Sequence, residues 1–70
     1  VQLGQLARAA SAFREARELM PDQMHPRLAL ARVYQMMNEP DLALEEARAA
    51  LELDPTDVEA RQIMESLPRH

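Results

Sequence analysis

Few side chains in this 70-residue sequence could make or break bonds. The two imidazoles are His25 and His70, and neither has a cysteine to work with because the chain contains none. That absence also removes disulfides and thiolate zinc sites. His25 could share a metal with Asp22, but two such donors fall short of the usual ligand set. Ser11 falls mid-helix, Ser66 late in a helix and Thr56 at a helix start, so none has the sharp turn and paired base of a nucleophile. The segment Asp54-Pro55-Thr56-Asp57 lacks the glycine and terminal ligand of a calcium loop, and no phosphate loop is present. The pairs Arg14–Glu18, Arg48–Glu52 and Arg61–Glu65 all place Arg first, the weaker order along a helix, and read as solvated surface. No catalytic residue, metal site or cofactor is expected.

Charge is the chemistry that remains. Eight arginines, no lysine and twelve acids give a net charge of −4. The acidity concentrates in residues 40–57 (Asp41, Glu45, Glu46, Glu52, Asp54, Asp57), while the flanking segments are close to neutral. No basic stripe tracks phosphates, so nucleic acid is not expected as a partner. The acidic run could steer a basic partner, although a solvated outer helix face explains it as well. Arginine without lysine, together with twelve alanines, suits a GC-rich and hence bacterial coding sequence. Apolar runs are only a few residues long, against the roughly 20 that span a bilayer, and no basic-plus-apolar leader opens the chain. No membrane insertion is expected.

These side chains must be positioned by helices. Two aromatics, Phe13 and Tyr34, and one glycine, Gly4, argue against a sheet, whereas Ala, Leu, Glu, Arg, Met and Gln are the helix formers. Pro21, Pro26, Pro40, Pro55 and Pro68 divide the chain, since proline inside a helix costs about 3 kcal/mol. Four helices are predicted: about Gln5–Met20, about Pro26–Met37, about Pro40–Leu53, and one from near Asp57 to about Leu67. Leu6, Ala9, Ala10, Phe13, Ala16 and Met20 form the apolar face of the first, and Leu30, Ala31, Tyr34 and Met37 that of the second. Ala43, Leu44, Ala47, Ala50 and Leu51 line the third. Asn38 can end the second helix in the left-handed conformation and Pro40 open the next, a turn that forces an antiparallel pair. Thr56 and Glu59 have the spacing of a capping box for the fourth.

Shifting the sequence by 34 residues aligns Ala9 with Ala43, Arg14 with Arg48, Ala16 with Ala50, Glu18 with Glu52, Leu19 with Leu53, Pro21 with Pro55 and Arg27 with Arg61. That period is the length of one tetratricopeptide repeat. Residues 24–57 resemble one complete repeat: Leu30 and Ala31 stand at the family's Leu-Gly pair, Tyr34 at its tyrosine, and Ala43, Ala50 and Pro55 at the Ala, Ala and Pro of the second helix and turn. Gly4, Ala9, Phe13, Ala16 and Pro21 match the second half of a preceding repeat. The resemblance implies an all-α fold of antiparallel helix pairs stacked as an α-solenoid. Residues 1–23 form the second helix of a partial repeat, 24–57 a complete repeat, and 58–70 a capping helix and tail. Two departures stand out. Arg27 occupies a large-apolar position and Ala47 an aromatic one, so under-packing is expected there.

The family binds a peptide or helix of another protein in a concave groove, which implies a protein–protein interaction scaffold. On that pattern His25, Leu28, Arg32, Gln35 and Met36 of the second helix, with Glu59, Gln62 and Ser66 of the fourth, line the groove. Leu28, Met36 and Ile63 would offer apolar contacts, and the Arg32 guanidinium could hold both oxygens of a carboxylate. The lysine-dependent carboxylate clamp of chaperone-binding members has no counterpart. The alternative is a structural role, self-association or docking on the rest of a longer parent chain, through Leu3, Leu6, Ala10 and Phe13. Those residues are expected to be exposed because the helix that would cover them is missing. By register the chain begins in mid-repeat and reads as a section of something longer.

Overall fold

The computed structural model describes residues 3–67, and among them the backbone forms four helices and no strand: α1 (Leu3–Leu19), α2 (Met24–Met36), α3 (Pro40–Leu53) and α4 (Val58–Ser66). The molecule measures 32 × 31 × 16 Å, so it is two helix layers thick. Helix α2 packs on all three others and α3 packs also on α4, whereas α1 makes no close backbone approach to α3 or α4. Helices α1 and α2 each begin slightly ahead of the expected residues. Pro26 is still accommodated in the first turn of α2, where the missing N–H breaks no bond.

The α2–α3 turn closes as the residue types require. Asn38 has φ 62°, in the left-handed region that asparagine tolerates. Its N–H donates to the Gln35 carbonyl at 3.0 Å and the Glu39 N–H donates to that of Tyr34 at 2.8 Å, satisfying two carbonyls the helix end would leave open. Pro40 then starts α3, leaving no room for anything but antiparallel packing.

Close approach of the helices rests on alanine. Ala31, Ala43, Ala47, Ala50 and Ala60 have no exposed surface, and Leu30 is the largest side chain to share that state. Without bulk at those positions the backbones draw together, and Leu30, Val33, Tyr34 and Ile63 fill the remaining space. The expected under-packing near Arg27 takes a different form. Arg27 lies over the preceding turn, donating from Nε and Nη2 to the Pro21 carbonyl at 3.4 and 3.3 Å, and Arg61 donates to the Pro55 carbonyl at 3.4 Å. Two of the sequence identities at a spacing of 34 are therefore one contact made twice. An arginine stem covers the place of the large apolar side chain while its head group holds the turn.

Two expectations need correction. Leu6 and Ala10 are buried, at 7% and 4% exposure, because that side of α1 packs on α2; Phe13 is half-buried against the same core. They are not an outer face, and the side chain of Leu3 lies outside the described residues. The fourth helix is capped by Asp57, not by a Thr56–Glu59 box. The Asp57 carboxylate accepts from the Ala60 N–H at 2.8 Å, while the Thr56 hydroxyl and N–H donate to Asp54 at 2.7 and 3.0 Å. A carboxylate at the cap also meets the positive end of the helix dipole, which a hydroxyl does less well. Asp57→Ala should therefore cost about 1 kcal/mol in urea unfolding, and Thr56→Ala clearly less. Equal losses would mean that Thr56 shares the capping role.

Candidate functional site

On α2 and α4 the side chains expected to line a groove fall into two groups. One is bridged across the helices: Arg32 Nε donates to Glu59 Oε2 at 2.6 Å, and Gln35 Nε2 donates to Ser66 Oγ at 2.7 Å. Ser66 in turn donates to the Ile63 carbonyl at 2.8 Å, so the second bridge is anchored to the α4 backbone. From one bridge to the other the spacing is seven residues on α4, about two turns, and three residues on α2, about one turn, so both lie along one face.

The other group stands apart from these bridges. His25 is exposed and meets Phe13 of α1 edge to face, with ring centroids 6.3 Å apart. Leu28 is half-buried against the core, Met36 is exposed, and Gln62 is exposed beside Glu59 and Ser66 on the α4 surface. Ile63 is buried in the core, so it does not offer the apolar contact expected of it. The Arg32 guanidinium is already engaged by Glu59, and an incoming carboxylate has to compete with it. Both side chains are substantially exposed, so the pair is weak and can be exchanged for a partner's charge. A pocket of about 130 Å³ opens at the C-terminal ends of α2 and α4, lined by Gln35, Asn38, Glu39, Pro40, Ser66 and Leu67. That is well below the roughly 300–1,000 Å³ of small-ligand sites, but ample for one side chain of a peptide. Among the described residues no group of three or more potential metal ligands comes together.

A second charged cluster was not legible from spacing. Glu46 of α3 is only 6% exposed and is paired with Arg17 of α1, while Arg27 Nη1 of α2 stands 3.9 Å from its Oε1. Oε1 accepts no hydrogen bond among the described residues. Burial pushes the Glu46 carboxyl above its usual range, outweighing the two arginines that pull it down; Glu45, next along the chain, adds a small push upward. The sequence places Glu46 in an acidic run, where it looked solvated. Its partners are 29 and 19 residues away, beyond the reach of any local pattern.

The class is thus an α-solenoid segment of antiparallel helix pairs. A family model for the tetratricopeptide repeat matches residues 1–69, and the chain belongs to the tetratricopeptide repeat family. No curated protein and no solved structure matches the chain. Members of this family generally mediate protein–protein interaction, and their repeats are typically non-catalytic scaffolds. No helix among the described residues is long and apolar enough to cross a membrane.

Because Glu46 is harder to ionise in the folded protein than in the unfolded chain, the native state holds its proton more tightly. Stability from this group is therefore present below the unfolded value near 4.5 and is lost as the pH rises through the raised folded value. Urea unfolding of the wild type and Glu46→Gln across pH 4 to 7.5 should show the wild type gaining on the variant as the pH falls. The opposite trend would mean that the arginine pairing outweighs burial.

Proposed function

We propose that this chain is a scaffold that holds a partner peptide or helix on the face shared by α2 and α4. In this reading residues 24–57 are the complete repeat, 1–23 the second helix of a preceding one, and 58–70 a capping helix and tail. The observation that carries the proposal is the pair of bridges, Arg32–Glu59 and Gln35–Ser66, which link α2 and α4 into one polar surface. The Gln35–Ser66 bridge, anchored to the α4 backbone, holds its part of the face in shape before a partner arrives, which lowers the ordering cost of binding.

The chemistry of the face defines what it suits. Arg32 and Glu59 cancel, and Gln35, Gln62 and Ser66 are neutral. A backbone or amide-bearing segment is served by these groups, with Met36 and the half-buried Leu28 available to an apolar side chain. His25 marks the edge toward α1. The partner is therefore a segment of low net charge, and salt should change its affinity little.

Peptides selected from a random library on the immobilised chain provide the test. Arg32→Glu, which also sets a second carboxylate against Glu59, and Gln62→Trp, which obstructs the surface, should each weaken the selected peptides about tenfold by titration calorimetry. Amide shift changes on peptide addition should cluster on His25, Arg32, Gln35 and Gln62. Undiminished affinity in both variants, or shifts confined to α3, would rule the face out.

A further inference from the structure

Helices α2 and α4 carry three arginines among the described residues, and two of them are tied to turns. Arg27 and Arg61 donate to the Pro21 and Pro55 carbonyls, which leaves Arg32 as the cation of the face these helices share. Its Nε donates to Glu59 Oε2 at 2.6 Å. The two side chains are 57% and 41% exposed, so the pair lies within reach of a partner. The neighbouring acids are not cancelled in this way. Glu39 lines the pocket at the C-terminal ends of α2 and α4, Glu65 is exposed on α4, and neither joins an ion pair among the described residues. Once Glu59 has taken Arg32, the charge left around the face is acidic.

We propose, resting on the scaffold reading, that Glu59 sets the charge specificity of this face: it occupies Arg32 in place of a partner's carboxylate, so that acidic segments are rejected and neutral ones admitted. An incoming carboxylate has two routes to Arg32. It can displace Glu59 from Nε, or it can take the outer edge of the guanidinium and leave Glu59 where it is. Either route sets two carboxylates against one guanidinium, and their repulsion offsets the gain. Both routes run at the surface, so the penalty is modest and screened by salt. A neutral segment meets neither cost. Gln35, Gln62 and Ser66 can serve its backbone without disturbing the pair. Acidic partners are thus excluded by a competitor built into α4, and a site for a carboxylate lies latent beneath it.

The variant Glu59→Gln isolates the charge. It keeps the length of the side chain and an oxygen that accepts from Arg32 Nε, while the guanidinium is left unopposed and able to hold a carboxylate by two N–H donors. The exchange Arg32→Glu with Glu59→Arg tests the pair from the other side, because it restores a cancelled pair with the charges transposed.

One random peptide library, selected in parallel at low salt on the immobilised wild type and on Glu59→Gln, provides the test. Wild type should select peptides poor in acidic residues, and the variant peptides with Asp or Glu at one recurrent position. By titration calorimetry such an acidic peptide should bind Glu59→Gln about tenfold more tightly than wild type, and the margin should shrink as salt is raised. The transposed pair should bind it as weakly as wild type does. Far-UV circular dichroism should show each variant folded, since neither side chain belongs to the core. Acid-rich peptides selected on wild type, equal affinity of the acidic peptide for wild type and Glu59→Gln, or tight binding by the transposed pair would each overturn the role of Glu59 and leave the scaffold reading standing. If neither form selects any peptide, the scaffold reading fails and the role of Glu59 with it.

Discussion

The fully buried alanines set the distance between helices, and the other features of the structure follow from that distance. With Ala31 on α2 and Ala43, Ala47 and Ala50 on α3, the two backbones come near enough for Leu30 to be enclosed completely. Ala60 does the same for α4. A core of this kind gains less per residue from burial than one built of leucines, but its atoms remain in contact, and contact is what dispersion rewards. It also fixes where α4 lies relative to α2, and so whether Arg32 can reach Glu59 and Gln35 can reach Ser66. The polar face is a consequence of the apolar spacing beneath it.

Much of this was legible in the residues. Prolines 21, 26, 40 and 55 punctuate the helices, Asn38 occupies the left-handed position, and the 34-residue register points to the repeat. What escaped has physical causes. A helical stripe identifies an apolar side but not its neighbour, and on α1 Leu6 and Ala10 belong to the side that α2 covers. Thr56 and Asp57 can both cap, and their competition is decided by Asp54, which draws the Thr56 hydroxyl away. Ile63 has the type of a surface contact only if its orientation on α4 is ignored. Residue spacing puts Arg32 and Glu59 on comparable helix faces, but that they neutralise each other follows from how close α2 and α4 pack.

The arginine at the large-apolar position shows how one family feature can be replaced without loss of shape. Arg27 and Arg61 each cover a turn with an aliphatic stem and hold a proline carbonyl with the head group. Only Arg27 has a carboxylate beside it, because Glu46 enters from α3. That carboxylate also pairs with Arg17, making the one ionic link between α1 and α3 among the described residues. The link is polar where the rest of the joint is apolar, so the attachment of α1 is sensitive to charge in a way that the α2–α3 contact is not.

The Asn38 turn has a kinetic consequence. It joins α2 and α3 through three residues, so the most extensive helix contact in the molecule is also among the most local in sequence. Closing a short loop costs little entropy, and such contacts form early. The hairpin is then the unit that persists, with α1 and α4 as outer layers that detach at lower free energy. Native-state amide exchange would show this as protection greatest at Leu30 to Tyr34 and Ala43 to Ala50, falling toward both ends of the chain. Uniform protection across all four helices would show instead that the layers open together.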